Sequence, residues 1–246
     1  SVATLPGLKE DLGVCSTLGD IIDVLKTAAL IQFRIFQKKQ NKPREEYQAI
    51  ARSCFGVLFA RKYRHPYMFD RTQMPSAVVV VTSDEGFLGE MNTVLINTAA
   101  DLLSGPNDKL IVLGAQGAKY FDDIGMKFTS MPGIPEEITP KYIDAVRDHV
   151  LSGYKRDFGR VVVVFPRFVS LVSQKIEKVQ LLPVKAEDFS DVKISKRVME
   201  DLSVEPGDRE VVESLVKSWI GYKFTELFWS AKQSEYGARI MHLEGS

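Results

Sequence analysis

At 246 residues, with 45% hydrophobic and 26% charged content, the chain is long enough for one large domain or for a compact domain with extended arms, and its composition suits a buried core. Its 32 lysines and arginines balance its 32 aspartates and glutamates, so no global field would gather it onto a polyanion, and nucleic-acid binding is not expected. The longest apolar runs, such as Ala77–Val81 and Val161–Phe165, are strand-sized against the ~20 residues of a membrane-spanning helix, and nothing marks Ser1–Asp11 for secretion, so membrane association without direct insertion is expected, through partner proteins.

From Ser16 to about Phe59 the pattern is helical. Leu18, Ile22, Leu25, Ala29 and Phe36 form one stripe, and Ile21, Val24, Ala28, Ile31 and Ile35 form an adjacent one. Two neighbouring stripes suit a helix gripped by more than one partner. Pro43, which lacks a donor and clashes with the preceding turn, predicts a bend near residue 42. The aromatic, charged segment Lys62–Arg71 is interrupted by Pro66 and leads into a different kind of sequence.

Ala77–Thr82 is a β-branched run of the kind buried in parallel sheets, and a helix over Asn92–Leu103 follows it. The alternation continues with a strand at Lys109–Leu113, a helix at Ala115–Asp123, a short strand at Lys127–Met131, a helix at Pro140–Leu151 and a strand at Arg160–Phe165. This rhythm predicts a doubly wound, mostly parallel sheet. Phe168–Val184 breaks it: polar and apolar residues alternate there, and a hairpin at the sheet edge fits best. After the polar stretch Lys185–Gly207, the Glu205-Pro-Gly-Asp208 turn starts a second long helix with Asp208 as its cap. Val211, Leu215, Trp219, Tyr222 and Trp229, flanked by Val212, Ile220, Phe224 and Leu227, give it a wide apolar face.

The fold class is therefore α/β, with a long helix on either side of the sheet domain in sequence. At 1.5 Å per residue Thr17–Phe59 would extend roughly 65 Å and Asp208–Leu243 roughly 54 Å, enough for an antiparallel pair to project as a stalk. Composition alone favours the plainer alternative, that both helices pack on the α/β domain as ordinary core.

Chemistry-bearing patterns are sparse. Gly86-Phe-Leu-Gly89 and Gly114-Ala-Gln-Gly117 each link a strand to a helix, the layout that cradles phosphate, but neither has a dinucleotide or P-loop spacing. Asp84, Glu85 and Glu90 crowd the first loop with repelling charge. His65, His149 and His242 lack metal-ligand spacing and read as surface or capping residues. No serine or cysteine has a nucleophile's setting, and Cys15 and Cys54, the only cysteines, suggest a reducing compartment without disulfides. No catalytic residue, cofactor or metal is expected.

Four segments carry a resemblance. His65-Pro-Tyr is similar to a His-Pro-hydrophobic element, Thr82-Ser-Asp-Glu-Gly-Phe-Leu-Gly-Glu-Met-Asn92 to T-S-D-R-G-L-C-G-G-L-N, Phe168-Val-Ser170 with Leu181-Leu-Pro183 to F-x-S…L-L-P, and Ser234-Glu-Tyr-Gly-Ala-Arg-Ile-Met241 to S-E-x-x-A-R-M. In this order they resemble the gamma subunits of F-type ATP synthases. The resemblance implies a Rossmann-like domain at 63–207 between coiled-coil helices at 1–62 and 208–246. It implies a non-catalytic central shaft whose rotation couples ion flow to ATP synthesis or hydrolysis on beta subunits. The implied partners are the alpha and beta subunits, epsilon and the membrane c-ring, on the cytoplasmic or matrix/stromal-equivalent face.

By position, the resemblance implies partner contacts at Leu25, Lys26, Arg34, Glu85, Gly86, Phe87, Leu88, Gly89, Ser234, Glu235 and Arg239. Three departures accompany it. Typical members carry a basic cluster on the first helix that meets acidic groups on beta, whereas Asp20 and Asp23 reverse that charge here and leave Lys26 and Arg34 nearby. Glu85 and Leu88 stand where Arg and Cys are common. The family's last helix continues for tens of residues past S-E-x-x-A-R-M, whereas this sequence stops at Ser246, so the expectation is either a truncated piece of a longer chain or a protein that lacks the shaft tip. Alternatives are a divergent gamma paralogue with an assembly or regulatory role and, more remotely, an independent α/β nucleotide-binding enzyme.

Overall fold

Ser76–Val81 (β1), Lys109–Leu113 (β2), Thr129–Met131 (β3), Arg160–Ser170 (β4) and Ser173–Leu182 (β5) form one sheet in the order β3-β2-β1-β4-β5. This computed structural model describes residues 19–31, 34, 43–86, 88–192 and 208–245. The four strands from β3 to β4 are parallel, and β5 folds back antiparallel on β4 at the edge. The expected edge hairpin is present. β4 runs on to Ser170, past its expected end at Phe165, despite Pro166. The proline is tolerated because β4 pairs with β1 only as far as Val80↔Val164, so beyond that point one edge of the strand has no ladder to break.

The crossover helices divide between the two faces, as a doubly wound sheet requires. Met91–Leu102 (α3) and Ala115–Asp123 (α4) cover Val78, Val80, Leu110, Val112 and Val164 with Leu95, Ile96, Ala99 and Phe121. Pro140–Arg156 (α5) and Asp208–Glu244 (α6) cover Val79, Val81, Ile111, Leu113, Val163 and Phe165. Alternate residues of one strand point to opposite layers, which is why the parallel strands read as unbroken β-branched runs. At the start of α5, Thr139 accepts from the Tyr142 N–H at 3.3 Å, and Pro140 occupies a position whose missing donor costs nothing.

α6 is built into this domain. Val212, Val216, Trp219, Ile220, Phe224, Leu227 and Phe228 belong to the main core, each worth on the order of 2 kcal/mol when removed from water. Residues 231–240 are buried without a break, so over this stretch the helix packs on the sheet instead of projecting from it. The helix over residues 19–31 (α1) and Pro43–Ala60 (α2) lie along its other side. Lys26 pairs with Glu244 at 2.9 Å, Ala29 clusters with Tyr236 and Ile240, Tyr47 meets Tyr222 at 5.6 Å, and Phe55 meets Trp219 at 5.7 Å. The partner number falls as the chain advances, so α1 and α2 run antiparallel to α6. The bend expected near residue 42 and the Glu205-Pro-Gly turn lie outside the described residues. Among the described residues no helix is long and apolar enough to cross a membrane.

Candidate functional site

The loop after β1 is pinned by its own polar side chains. Thr82 Oγ1 donates to the Leu113 carbonyl at 2.7 Å and accepts the Gly117 N–H at 3.0 Å. The Asn92 side chain donates to Ser83 Oγ at 2.9 Å and accepts the Ser83 N–H at 3.3 Å, and Ser83 Oγ donates to the Glu85 carbonyl at 2.6 Å. Asp84 Oδ1 accepts the Ala115 N–H at 2.9 Å, which places a carboxylate of the chain itself at the N-terminus of α4. A bound phosphate would need that position, so the G-x-x-G layout here is filled from within. The glycines make this closeness possible. A Cβ on Gly114, whose φ is 98°, would meet the Thr82 carbonyl at 2.3 Å, and one on Gly133 would meet the Asp84 carboxylate at 2.5 Å.

The Ser234–Met241 segment faces this loop across the open end of the sheet. Ser234 is fully buried, with Oγ 3.0 Å from the Pro166 carbonyl, and Ser230 Oγ accepts the Phe168 N–H at 3.0 Å. Gly237 lies against the hairpin turn, where an added Cβ would meet Gln174 Nε2 at 2.9 Å. Glu235 Oε2 pairs with Lys232 at 3.1 Å and its Oε1 with Arg239 at 2.9 Å. Arg239 also reaches Glu85 at 3.3 Å, and Lys232 reaches Glu136 at 3.5 Å. Tyr236 donates to Glu136; burial first, then that hydrogen bond, holds its hydroxyl above the ordinary phenol range.

These elements enclose a cleft of about 580 Å³ lined by residues of α1 (Leu25, Ala28, Ala29), the β1 loop (Asp84, Glu85, Gly86) and α6 (Tyr236, Arg239, Leu243), with Gln116 and Glu136 completing it. Leu25, Glu85, Gly86 and Arg239 therefore come together. Lys26 sits beside them on its ion pair with Glu244. Arg34 is exposed, Leu88 is buried, Gly89 takes a left-handed φ of 55°, and Phe87 lies outside the described residues. Ser234 and Glu235 face inward, not outward. Sequence reasoning missed Lys232, Tyr236 and Glu136; the first two share the helix face of Glu235 and Arg239, but Glu136 lies in an irregular loop that no periodicity marks.

A second knot ties the opposite end of the domain. His65 is buried, which corrects the expectation of a surface or capping residue. Its Nδ1 accepts the Tyr67 N–H at 3.3 Å, Tyr154 donates to the Pro66 carbonyl at 2.8 Å, and the Val184 N–H donates to the Tyr67 carbonyl at 2.8 Å. Burial pushes the Tyr154 hydroxyl up to about 12 and lowers His65, against the pull of Glu213 at 3.9 Å. His149 and His242 are exposed. Among the described residues no group of three or more His, Cys, Asp or Glu side chains could hold a metal ion.

A family model described as ATP synthase matches residues 5–246. The chain is 27% identical over 172 residues to an ATP synthase gamma chain of Clostridium acetobutylicum, covering 68% of this chain and 58% of that relative. It is 24% identical over 247 residues to one of Heliobacterium modesticaldum, covering 96% and 85%. Its fold matches a chain of the Tetrahymena thermophila mitochondrial ATP synthase central stalk and c-ring with a TM-score of 0.67 at 15% identity, over 92% of this chain and 98% of that one.

Proposed function

The chain belongs to the ATP synthase gamma family, the non-catalytic central stalk, and from that premise we propose that it turns within a ring of alpha and catalytic beta subunits, carried by epsilon and the membrane c-ring. Ion-driven rotation of α1 and α6 then presents a changing face to each beta subunit, and the changes in packing drive ATP synthesis or hydrolysis there. The assembly sits on the cytoplasmic or matrix/stromal-equivalent face of its membrane. Residues 1–62 and 208–246 form the antiparallel coiled coil and 63–207 the foot.

The observation that carries this reading is the cleft where α1, the β1 loop and α6 converge. Exposed Ile21, Val24 and Ile31 on α1 are apolar positions left for a surrounding ring to cover. We assign partner contact to Leu25, Lys26, Arg34 and the 85–89 loop, to Arg239, braced by Glu235, the task of holding Glu85 of that loop against α6, and to Ser234 that of fixing α6 on β4. A tagged full-length chain is expected to bring down alpha and beta subunits from its native cell; repeated purification without either sinks the reading. The paralogue reading draws on Asp20 and Asp23, both exposed on α1. It differs in predicting an assembly that forms but transmits no torque.

A further inference from the structure

His65 is buried where the chain passes from α2 into β1, away from the cleft. Its Nδ1 accepts the Tyr67 N–H at 3.3 Å, so the neutral ring carries its proton on Nε2. That Nε2 is buried with no hydrogen-bond partner among the described residues. A buried donor left unpaired is costly, yet an acceptor stands just beyond reach: Glu213 Oε1, on the second turn of α6, lies 3.9 Å away. Lys155 takes the other oxygen of Glu213 at 3.1 Å, and Arg209 approaches Oε1 at 3.7 Å. The Tyr67 ring lies 5.0 Å from the imidazole, with Tyr154 behind it. The titratable groups around His65 are therefore Tyr67 from its own segment, Tyr154 and Lys155 from α5, and Arg209 and Glu213 from α6.

We propose that His65 is a proton-operated latch: when the ring takes a second proton, Nδ1 gives up the Tyr67 N–H and Nε2–H closes on Glu213, exchanging a bond inside the 65–67 turn for an ion pair between that turn and α6. A ring with a proton on each nitrogen has two donors and no acceptor, so the Tyr67 N–H then faces a donor and its bond is lost. Burial opposes the charged ring most strongly, Glu213 favours it, and Arg209 and Lys155 oppose it, which places the change on the acid side of the ordinary 6.5. Glu213 is still a carboxylate there, because the hydrogen bond from Lys155 holds it below its ordinary 4.5. The Tyr67 carbonyl keeps the Val184 N–H and the Pro66 carbonyl keeps the Tyr154 hydroxyl, so the turn stays anchored to the domain while the latch changes hands. Nothing in this exchange depends on the partners of the chain.

The test follows the His65 ring of the full-length chain by heteronuclear NMR while amide exchange is read at Tyr67, between about pH 7.5 and 5.5. At the upper end the ring should carry its proton on Nε2. As it charges, protection of the Tyr67 amide, corrected for intrinsic exchange, should fall by about tenfold, the worth of one hydrogen bond. Glu213→Gln should move the midpoint of the ring's titration down, and Lys155→Met should move it up. Both side chains are partly exposed, and the two shifts are opposite in sign, so a general loss of stability does not imitate the pair. His65→Asn, which keeps an acceptor in place of Nδ1 but does not titrate, should hold Tyr67 protection level throughout. A Tyr67 amide that stays protected while the ring charges overturns the proposal. So does a midpoint that Glu213→Gln leaves unmoved, a neutral ring protonated on Nδ1, or a ring that stays neutral until the chain unfolds.

Discussion

Replacing Glu235 with glutamine strips two buried cations of the anion they share. The side chains of Lys232, Glu235 and Arg239 retain 6%, 9% and 11% of their surface, and each carboxylate oxygen of Glu235 takes one cation, at 3.1 and 2.9 Å. At an effective dielectric of about 20 each contact is worth roughly 5 kcal/mol before desolvation is subtracted. Without that carboxylate, the acidic partners left are Glu136 for Lys232 and Glu85 for Arg239, both exposed, beside the Tyr236 ring that both cations face. Glu235→Gln should therefore cost about 3–5 kcal/mol, the penalty of a buried charge left without its partner, and lower the melting temperature by on the order of 10 °C in a chain of this size. Lys232→Met should cost less, about 1–2 kcal/mol, because Glu235 still holds Arg239. Combined, the two changes should cost less than their sum by roughly 1 kcal/mol or more. Urea unfolding followed by tryptophan fluorescence suits the measurement, since Trp229 lies one turn before Lys232. The reasoning fails if Glu235→Gln costs no more than Lys232→Met, or if the double variant is additive.

Gly114→Ala should be damaging at a site without charge. The backbone there has a φ of 98° and a Cβ would press to 2.3 Å from the Thr82 carbonyl, so a loss of about 3 kcal/mol is expected in the same assay, with faster amide exchange at Ala115 as α4 lifts away from Asp84. His65 supplies a pH dependence. Burial lowers its folded value below the ordinary 6.5, so the unfolded chain binds more protons as pH falls through that range. The associated stability is present above about pH 6.5 and is lost as pH drops toward the folded value. His65→Gln should flatten the change in urea midpoint between about pH 7.5 and 5.5. Glu213, held low first by its hydrogen bond from Lys155, loses its contribution only further down, below its ordinary 4.5.

The central sheet was legible because a parallel strand buried on both faces must be a β-branched run, and β1 and β2 fall within a residue of where the sequence puts them. Helices end where side-chain capping and tertiary packing decide, which is why α5 extends to Arg156, past Leu151. The four resemblance segments were found as separate stretches, but their purpose appears only in three dimensions. Phe168 meets Ser230 while Ser234 meets Pro166 just before it, the 82–86 loop meets Arg239, and His65–Tyr67 meets Val184. Periodicity gave α6 its apolar face but could not say whether that face covers a second helix or the sheet. It covers both, and so Ser234, Glu235 and Arg239 point inward. The burial of His65 had no signal in sequence, since it depends on Tyr154 and Glu213, far along the chain.

The central claim is that this chain turns, and rotation can be watched. The full-length chain, assembled with its own alpha and beta subunits and carrying a bead on the α/β domain, should rotate in steps in one direction when ATP is supplied. Rotation should stop when ATP is withdrawn. A ring that hydrolyses ATP while the bead only diffuses would contradict the account and leave the chain an assembly factor.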